Sequence, residues 1–216
     1  MTLYFMLLLE YIKDNSIKWF LDNDLSDWEY NITKCVIDHL HINFEINNTG
    51  VDTPSVKYDR NIKSNKHFKE VIQIIRSCVF NCYKLEEKNI NRPSYKVLYF
   101  RDDASRRKML NYNNDLNHLF DEIIVDMGSK TFEEQVSLFH KTTHFVTIEG
   151  AHLTNIIFMN VNTKILVFSP IRNSWQEMFG TSTLVNQFEI KTTGGDFNSN
   201  IDYNDNIKNK TINFLL

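Results

Sequence analysis

Three arginines lie close together in the sequence, just after a short apolar run. Arg101 follows that run directly, and Arg106 and Arg107 come shortly afterwards. If the run is a strand of a parallel sheet, Arg101 stands at its carboxyl end, where ligands bind in open α/β sheets. A guanidinium can hold a diphosphate with two parallel hydrogen bonds, so the cluster suits a nucleotide diphosphate. The alternative is a solvated helix start whose arginines pair with Asp102 and Asp103.

A second candidate for anion binding lies between two apolar runs, 145–148 and 165–168, which predict buried strands. Four residues follow the first run: Glu149, Gly150, Ala151 and His152. The apolar turn at 156–159 then predicts a helix, with Thr154 or Asn155 as its cap. Two strands joined through a helix form a parallel crossover unit, which places the four residues at the carboxyl edge of a sheet.

The start of that predicted helix is a natural place for an anion. A helix N-terminus presents free N–H groups and a partial positive charge. Gly150 and Ala151 carry little or no side chain, so a phosphate could approach the main chain closely. Any parallel crossover needs a small residue at such a turn, and a purely structural turn is therefore the alternative.

From Lys96 onward, strand patterns alternate with helix patterns. Strands are predicted at Lys96–Arg101, Glu122–Asp126, His144–Ile148 and Lys164–Phe168, and helices within Ser105–Phe120, at Thr131–His140 and at Thr154–Met159. This alternation predicts an α/β fold, a Rossmann-like parallel sheet with helices on its faces. After Trp175 the pattern fades. Asn198–Asn209 is predicted to be a loop, and Thr211–Leu216 an edge strand or a cap on the core.

The first part of the chain is predicted to be mainly helical. Helices are expected at Leu3–Leu21, Asp27–Leu40 and Asn65–Glu87, with a strand at Ile42–Ile46 and a polar loop in between. Asn89-Ile90-Asn91-Arg92-Pro93 ends the third helix and marks a boundary. Two domains are therefore predicted, 1–88 and 89–216.

Composition limits the partners and the location. The 216 residues carry a net charge of −3, which gives no electrostatic reason to expect binding to nucleic acid. The apolar run at the N-terminus is too short to span a bilayer and lacks the flanks of a signal peptide, so no membrane span is predicted. An odd number of cysteines without a C-x-x-C pair favours a reducing, cytoplasmic compartment. No metal-binding or cofactor motif occurs, so neither a metal nor a cofactor is predicted.

Three segments together resemble the motifs of glycosyltransferase family 61. The loop and its helix, GAHLTNIIFM at 150–159, are similar to the family signature GAGLTN-x-x-FM. Arg101 with the segment Ser105–Asn111 is similar to the family's arginine at a strand end followed by R-R-x-(I/L)-x-N, and TFEEQVSLF at 131–139 is similar to S-F-x-E-Q-V-x-L-F. The segments occur in the family's order and cover roughly residues 90 to 175. The family includes plant xylosyl- and arabinosyltransferases and animal enzymes that add N-acetylglucosamine to extracellular domains.

The resemblance implies a GT-B-type enzyme of two facing Rossmann-like domains, in which the second holds the donor. It implies inverting transfer of a sugar from a nucleotide diphosphate, with uridine diphosphate as the expected carrier, to a glycan or protein hydroxyl, with arginines and a helix N-terminus in place of a metal. The nucleotide sugar is then a substrate, not a cofactor. The implied donor-binding residues are Arg101, Arg106, Arg107, Asn111, Glu134, Glu149, Gly150, Ala151, His152, Leu153, Thr154 and Asn155. The general base is expected in the first domain, which is short here, and no catalytic residue is assigned.

The signature loop departs from the family pattern at two positions. The family usually has P-H-G-A-G-L-T-N, whereas this chain has Glu149 in place of the histidine and His152 in place of the second glycine. Glu149 would repel phosphates, and His152 would either donate to a diphosphate or block the crevice. An inactive remnant and a nucleotide-sugar-binding module are therefore alternatives to an active transferase, and the short first domain leaves one half of a split enzyme as another.

Overall fold

A computed structural model describes residues 19–22, 27–41, 44–47, 66–86, 93–171 and 187–216. The chain forms two compact units, Met1–Glu87 and Lys88–Leu216. Within the described residues, no helix is both long enough and apolar enough to cross a bilayer.

The first unit contains a parallel strand pair and two helices. Strand β1 (Trp19–Asp22) pairs with β2 (Phe44–Asn47), and α1 (Asp27–Leu40) connects them. The second helix, α2, spans Lys66–Cys82, and the apolar faces of both helices are buried. The helix predicted at Asp27–Leu40 is confirmed. The helix predicted at Leu3–Leu21 is wrong at its end, because residues 19–22 form β1, and its remainder lies outside the described residues.

The second unit is built on a parallel sheet of five strands. These are β3 (Lys96–Tyr99), β5 (Glu122–Ile124), β6 (His144–Ile148), β7 (Lys164–Ser169) and β8 (Gln187–Thr192). Their spatial order is β5-β3-β6-β7-β8, and every neighbouring pair is parallel. The predicted α/β fold is confirmed, and the apolar runs had placed β3, β5, β6 and β7 to within two residues at each end.

The order of the strands reverses at one place in the sheet. The chain passes from β3 to β5 on one side and then returns to β6 on the other side of β3. The order therefore reverses between β3 and β6. In doubly wound sheets such a reversal leaves a crevice beyond the carboxyl ends of the two strands, and ligands bind there.

Elements pack on both faces of the sheet. On one face, a buried apolar cluster joins the strands to the helix α4 (Asp205–Leu215) and includes Leu98, Val146, Leu166, Phe168 and Phe214. On the other, α3 (Phe132–Lys141) and the 3₁₀ helix Ala151–Phe158 pack together, with ring contacts from Phe139 to Phe145 and from Phe132 to Phe158. The sheet is thus covered by helices on each side, as the α/β class requires.

Three predictions for this unit are wrong in detail. The helix expected within Ser105–Phe120 is replaced by a two-residue strand, β4 (Met109–Leu110), and a 3₁₀ turn at Asn117–Leu119. The helix expected at Thr154–Met159 is the 3₁₀ helix Ala151–Phe158, which begins after Gly150 and not at Thr154 or Asn155. The loop expected at Asn198–Asn209 contains β9 (Ile201–Asp202), which pairs with β4, and the start of α4.

Candidate functional site

The carboxyl ends of four parallel strands meet at one edge of the sheet. Arg101 follows β3, Glu149 and Gly150 follow β6, Ser169 ends β7, and the loop 193–200 follows β8. The first two strands flank the point at which the strand order reverses. The sheet therefore brings the two candidates that are far apart in sequence, the arginine segment and the Gly150 loop, to the same place.

Arg101 lies across the end of β6. Its Nη1 donates to the main-chain carbonyl of Glu149 at 2.6 Å and lies 3.4 Å from the carbonyl of Arg107. A Cβ built on Gly150 would lie 2.7 Å from Arg101 Cζ, so only a glycine allows this approach. The space that the sequence suggested for a phosphate beside Gly150 is occupied by this guanidinium.

Both arginines next to the crevice have unusual backbone and side-chain environments. Arg101 and Arg107 have φ angles of 60° and 51°, a left-handed conformation that is uncommon for residues other than glycine. The Nε atoms of both are buried and have no hydrogen-bond partner among the described residues. A buried donor without a partner costs free energy, and a positive φ adds strain. Such features cluster at ligand-binding sites, where the surrounding fold maintains them.

Glu149 places an anion beside the Arg107 guanidinium. Its side chain is buried, Oε1 lies 3.6 Å from Arg107 Nη1, and Oε2 accepts from Ser169 Oγ at 2.7 Å. Burial lowers the pKa of Arg107, and the nearby charges of Arg101 and Arg106 lower it further, while Glu149 acts in the opposite direction. The acid therefore offsets part of the repulsion among the arginines.

His152 points into the interior of the unit. Its ring is buried, contacts the edge of Tyr99 with centroids 4.7 Å apart, and places Nε2 2.8 Å from Thr147 Oγ1. The Thr147 hydroxyl, which has one hydrogen, also lies 2.9 Å from the Tyr99 carbonyl and 3.2 Å from the Ile148 carbonyl, so the arrangement is satisfied when Nε2 carries the imidazole proton and donates to Thr147. Burial, followed by the charges of Arg101 and Arg107, holds the pKa of His152 well below its usual value. The imidazole is therefore neutral and directs Nδ1 toward Gly150.

The loop after β8 lies over the arginine segment. Asn198 Oδ1 accepts from Arg106 Nη1 at 2.9 Å, and Asn200 Oδ1 accepts from the main-chain N–H of Lys108 at 3.3 Å. The Arg107 guanidinium lies over the ring of Phe197, 4.6 Å from the centroid. One guanidinium thus contacts both Glu149 and Phe197.

Other residues predicted for the site have local structural partners. Asn111 is exposed, has a φ of 58°, and donates from Nδ2 to Asp202 at 3.2 Å. Glu134 is exposed and forms a capping box with Thr131 at the start of α3, and hydrogen bonds from Thr131 lower its pKa. Neither residue is joined by a described contact to the Arg101 guanidinium.

The residues after Gly150 form the 3₁₀ helix that supports the loop. Ala151 is exposed, Leu153 is buried, and Thr154 donates to the carbonyl of Ala151. Asn155 is buried and donates from Nδ2 to Gln135 Oε1 at 2.7 Å, and Gln135 in turn donates to the carbonyls of Met127 and Lys130. The motif asparagine therefore ties the loop to the start of α3.

Four residues that surround the candidate site were not predicted from the sequence. Ser169 is hydrogen-bonded to Glu149, and Thr147 is hydrogen-bonded to His152. The ring of Tyr99 packs on His152, and the ring of Phe197 packs on Arg107. Ser169 and Thr147 could have been found, because each is a polar residue at the end of an otherwise apolar strand. Phe197 gave no such signal, since it lies in a run of glycine, aspartate and asparagine.

The described residues contain no group of three or more His, Cys, Asp or Glu side chains placed to hold a metal ion. The cations at the strand ends are arginines.

The fold and the site define a Rossmann-like α/β protein with a guanidinium cluster where its strand order reverses. The family model for Glycosyltransferase 61 matches residues 19–166, about two thirds of the chain, and the protein belongs to this family. The match confirms the family that the three motifs had indicated, and it extends into the first unit, where no motif had been assigned. A comparison with curated proteins finds no match.

Proposed function

We propose that the protein transfers a sugar from a nucleotide diphosphate, with uridine diphosphate as the carrier, to a hydroxyl of a glycan or protein. Membership of family 61 supports glycosyltransferase activity. The observation that carries the donor class is the pair Arg101 and Arg107, whose guanidinium groups lie at the reversal of strand order and whose buried Nε donors have no partner in the part of the chain that the structure describes. A diphosphate supplies several acceptor oxygens and negative charge in one group, which matches this need.

The two arginines would act on the leaving group. When the bond between the sugar and the β-phosphate breaks, negative charge grows on the diphosphate. Guanidinium groups fixed in a low-dielectric site stabilise that charge more in the transition state than in the ground state. We propose that this replaces a metal ion, and that transfer inverts the configuration at the sugar carbon. Arg101 is the better placed of the two, because its bond to the carbonyl of Glu149 fixes its orientation.

A titration of uridine diphosphate tests the donor class. The wild-type protein should bind at micromolar concentrations, and Arg101→Ala should weaken binding about tenfold to a hundredfold, the range for a lost charge-assisted hydrogen bond. Lys210→Ala is the matched control, because it also removes one positive charge, but from the distant helix α4. No binding by the wild-type protein, or equal loss in the two variants, would reject the proposal.

Turnover is a separate measurement. Release of uridine diphosphate from a panel of uridine diphosphate sugars should occur with an acceptor glycan, and should continue in the presence of a chelator such as EDTA if arginines act in place of a metal. The anomeric configuration of the product, read by NMR, reports inversion directly.

A second candidate function is favoured by the Glu149 side chain. This acid lies beside Arg107, where a phosphate would have to compete with it. A protein that binds the nucleotide sugar without transferring it would show the titration result above but no release of uridine diphosphate from any sugar donor.

A further inference from the structure

Phe197 is an exposed aromatic residue in a polar loop. It retains 42% of its accessible surface, although the residues around it are Gly194-Gly195-Asp196 and Asn198-Ser199-Asn200. An isolated exposed side chain needs no explanation by itself, but this one is held at the candidate site.

The loop around Phe197 has a defined conformation. Gly194 and Gly195 have φ angles of 87° and 108°, which turn the chain sharply after β8. The main-chain N–H of Asp196 donates to Ser199 Oγ at 2.9 Å, and the N–H of Ser199 donates back to the carbonyl of Asp196 at 2.9 Å. These reciprocal bonds close a tight turn with Phe197 at its tip.

The same loop is fastened to the arginine segment by the residues that follow Phe197. Asn198 bonds to Arg106, Asn200 bonds to the main chain of Lys108, and the N–H of Ile201 donates to the carbonyl of Lys108 at 3.0 Å. The guanidinium of Arg107 covers one face of the Phe197 ring. Much of the exposed surface of the residue therefore belongs to the opposite face and the edge of the ring.

We infer that Phe197 is the stacking platform for the base of the nucleotide donor, an inference that rests on the proposed function. Arg107 contacts Phe197 with one face of its guanidinium and reaches Glu149 with Nη1, so one end of a diphosphate held by the arginines lies beside this loop, and the inference places the nucleoside at that end. Every nucleobase has a π face, and aromatic side chains bind bases by stacking in many unrelated proteins. Phe197 offers such a face next to a cationic cluster at the ends of β3 and β6.

The test compares two ligands that differ by the nucleoside. Wild-type protein, Phe197→Leu and Phe197→Trp are titrated with uridine diphosphate and with inorganic pyrophosphate. Leucine keeps an apolar side chain but has no π face, and tryptophan keeps one. We expect Phe197→Leu to weaken uridine diphosphate binding about fivefold to a hundredfold. Pyrophosphate binding should change less than about threefold, and Phe197→Trp should bind uridine diphosphate as well as the wild type.

Fluorescence gives a second readout for the tryptophan variant. A base stacked on the introduced indole should quench its emission when uridine diphosphate is added, and pyrophosphate should not, relative to the wild-type protein under the same titration. Phe197 is exposed, so neither substitution should prevent folding.

The possible failures are distinguishable. If the wild-type protein binds pyrophosphate and uridine diphosphate equally well, or if Phe197→Leu weakens both alike, the diphosphate site stands and the base platform is rejected. Weaker binding of a uridine diphosphate sugar without weaker binding of uridine diphosphate also rejects it, because Phe197 would then contact the sugar. If the wild-type protein binds neither ligand, the proposed function fails and this inference fails with it.

Discussion

The Arg101 guanidinium lies directly against the main chain of Gly150. A Cβ at Gly150 would lie 2.7 Å from Arg101 Cζ and 2.8 Å from Nη1, closer than real Cβ contacts allow. The backbone of Gly150 is fully extended, with φ of −179° and ψ of 177°, so the requirement for glycine comes from side-chain contacts, this one and His152 Nδ1 at 2.8 Å, and not from the backbone. The glycine of the family motif thus positions an arginine that comes from another strand.

Gly150→Ala should therefore act on the site through Arg101, while the buried His152, whose Nδ1 also lies 2.8 Å from the new Cβ, adds a cost in stability. The new methyl group should displace the guanidinium and break its 2.6 Å bond to the carbonyl of Glu149. We expect uridine diphosphate to bind about tenfold more weakly, the cost of one charge-assisted hydrogen bond, in an isothermal titration.

Gly128→Ala is the matched control for that substitution. A Cβ there meets only Asp126 Oδ1 at 3.2 Å, in an exposed turn. The Gly128→Ala variant should bind uridine diphosphate with the same affinity as the wild type. An unchanged affinity in Gly150→Ala would show that Arg101 has room to bind the diphosphate in another position.

Glu149→Gln should strengthen anion binding and weaken the fold. Glutamine keeps an acceptor for Ser169 Oγ but removes the charge beside Arg107. Pyrophosphate should bind several-fold more tightly because it no longer competes with the carboxylate. Without ligand, the free energy of unfolding should fall by about 1–2 kcal/mol, since a mostly buried guanidinium loses its partner. Saturating pyrophosphate should restore the lost free energy of unfolding, because a ligand that binds only the folded state stabilises it.

Glu133→Gln is the comparison for this charge change. Glu133 is exposed in the first turn of α3, so the same loss of one negative charge should leave pyrophosphate affinity unchanged. An equal increase in pyrophosphate affinity in both variants would mean that the effect comes from net charge and not from the ion pair with Arg107.

The sequence was informative where the apolar pattern was strong. The buried runs 97–100, 145–148 and 165–168 predicted three adjacent strands of the sheet, and parallel connectivity placed their carboxyl ends at one edge. The meeting of Arg101 with the Gly150 loop followed from this alone. The motifs then supplied the family, which no argument from periodicity could have done.

Local backbone conformation was not predictable from the pattern. Residues 105–120 have helical spacing, but Arg107, Asn111 and Asn114 have φ angles of 51°, 58° and 64°, and none of these fits a helix. Asparagine tolerates this conformation, and the three asparagines within 111–114 were the available signal. The pairing of Glu149 with Arg107 and Ser169 depends on three strand ends, so it required the assembled sheet.

Substitutions of Asn111 test whether this residue stabilises the backbone conformation or binds the donor. Glycine adopts a φ of 58° without strain and alanine does not, while both substitutions remove the bond to Asp202. The free energy of unfolding should be about 1 kcal/mol lower for Asn111→Ala than for Asn111→Gly, measured by urea denaturation. Equal stabilities, with weaker uridine diphosphate binding in both variants, would assign the asparagine to the donor instead.

His152 should make the fold sensitive to mild acid. Its pKa is held well below the usual value by burial, so between about pH 6.5 and its folded pKa the unfolded chain binds a proton that the folded chain does not. Stability should therefore fall as pH falls below about 6.5, by at most about 1.4 kcal/mol per pH unit from this group. His144, half-buried with a lowered pKa, should contribute in the same direction but less. Urea denaturation at pH 7.0, 6.0 and 5.5 should give a shallower pH dependence for His152→Gln than for His144→Gln. If the two variants and the wild type all show the same dependence, the imidazole against Thr147 is not the group that resists protonation.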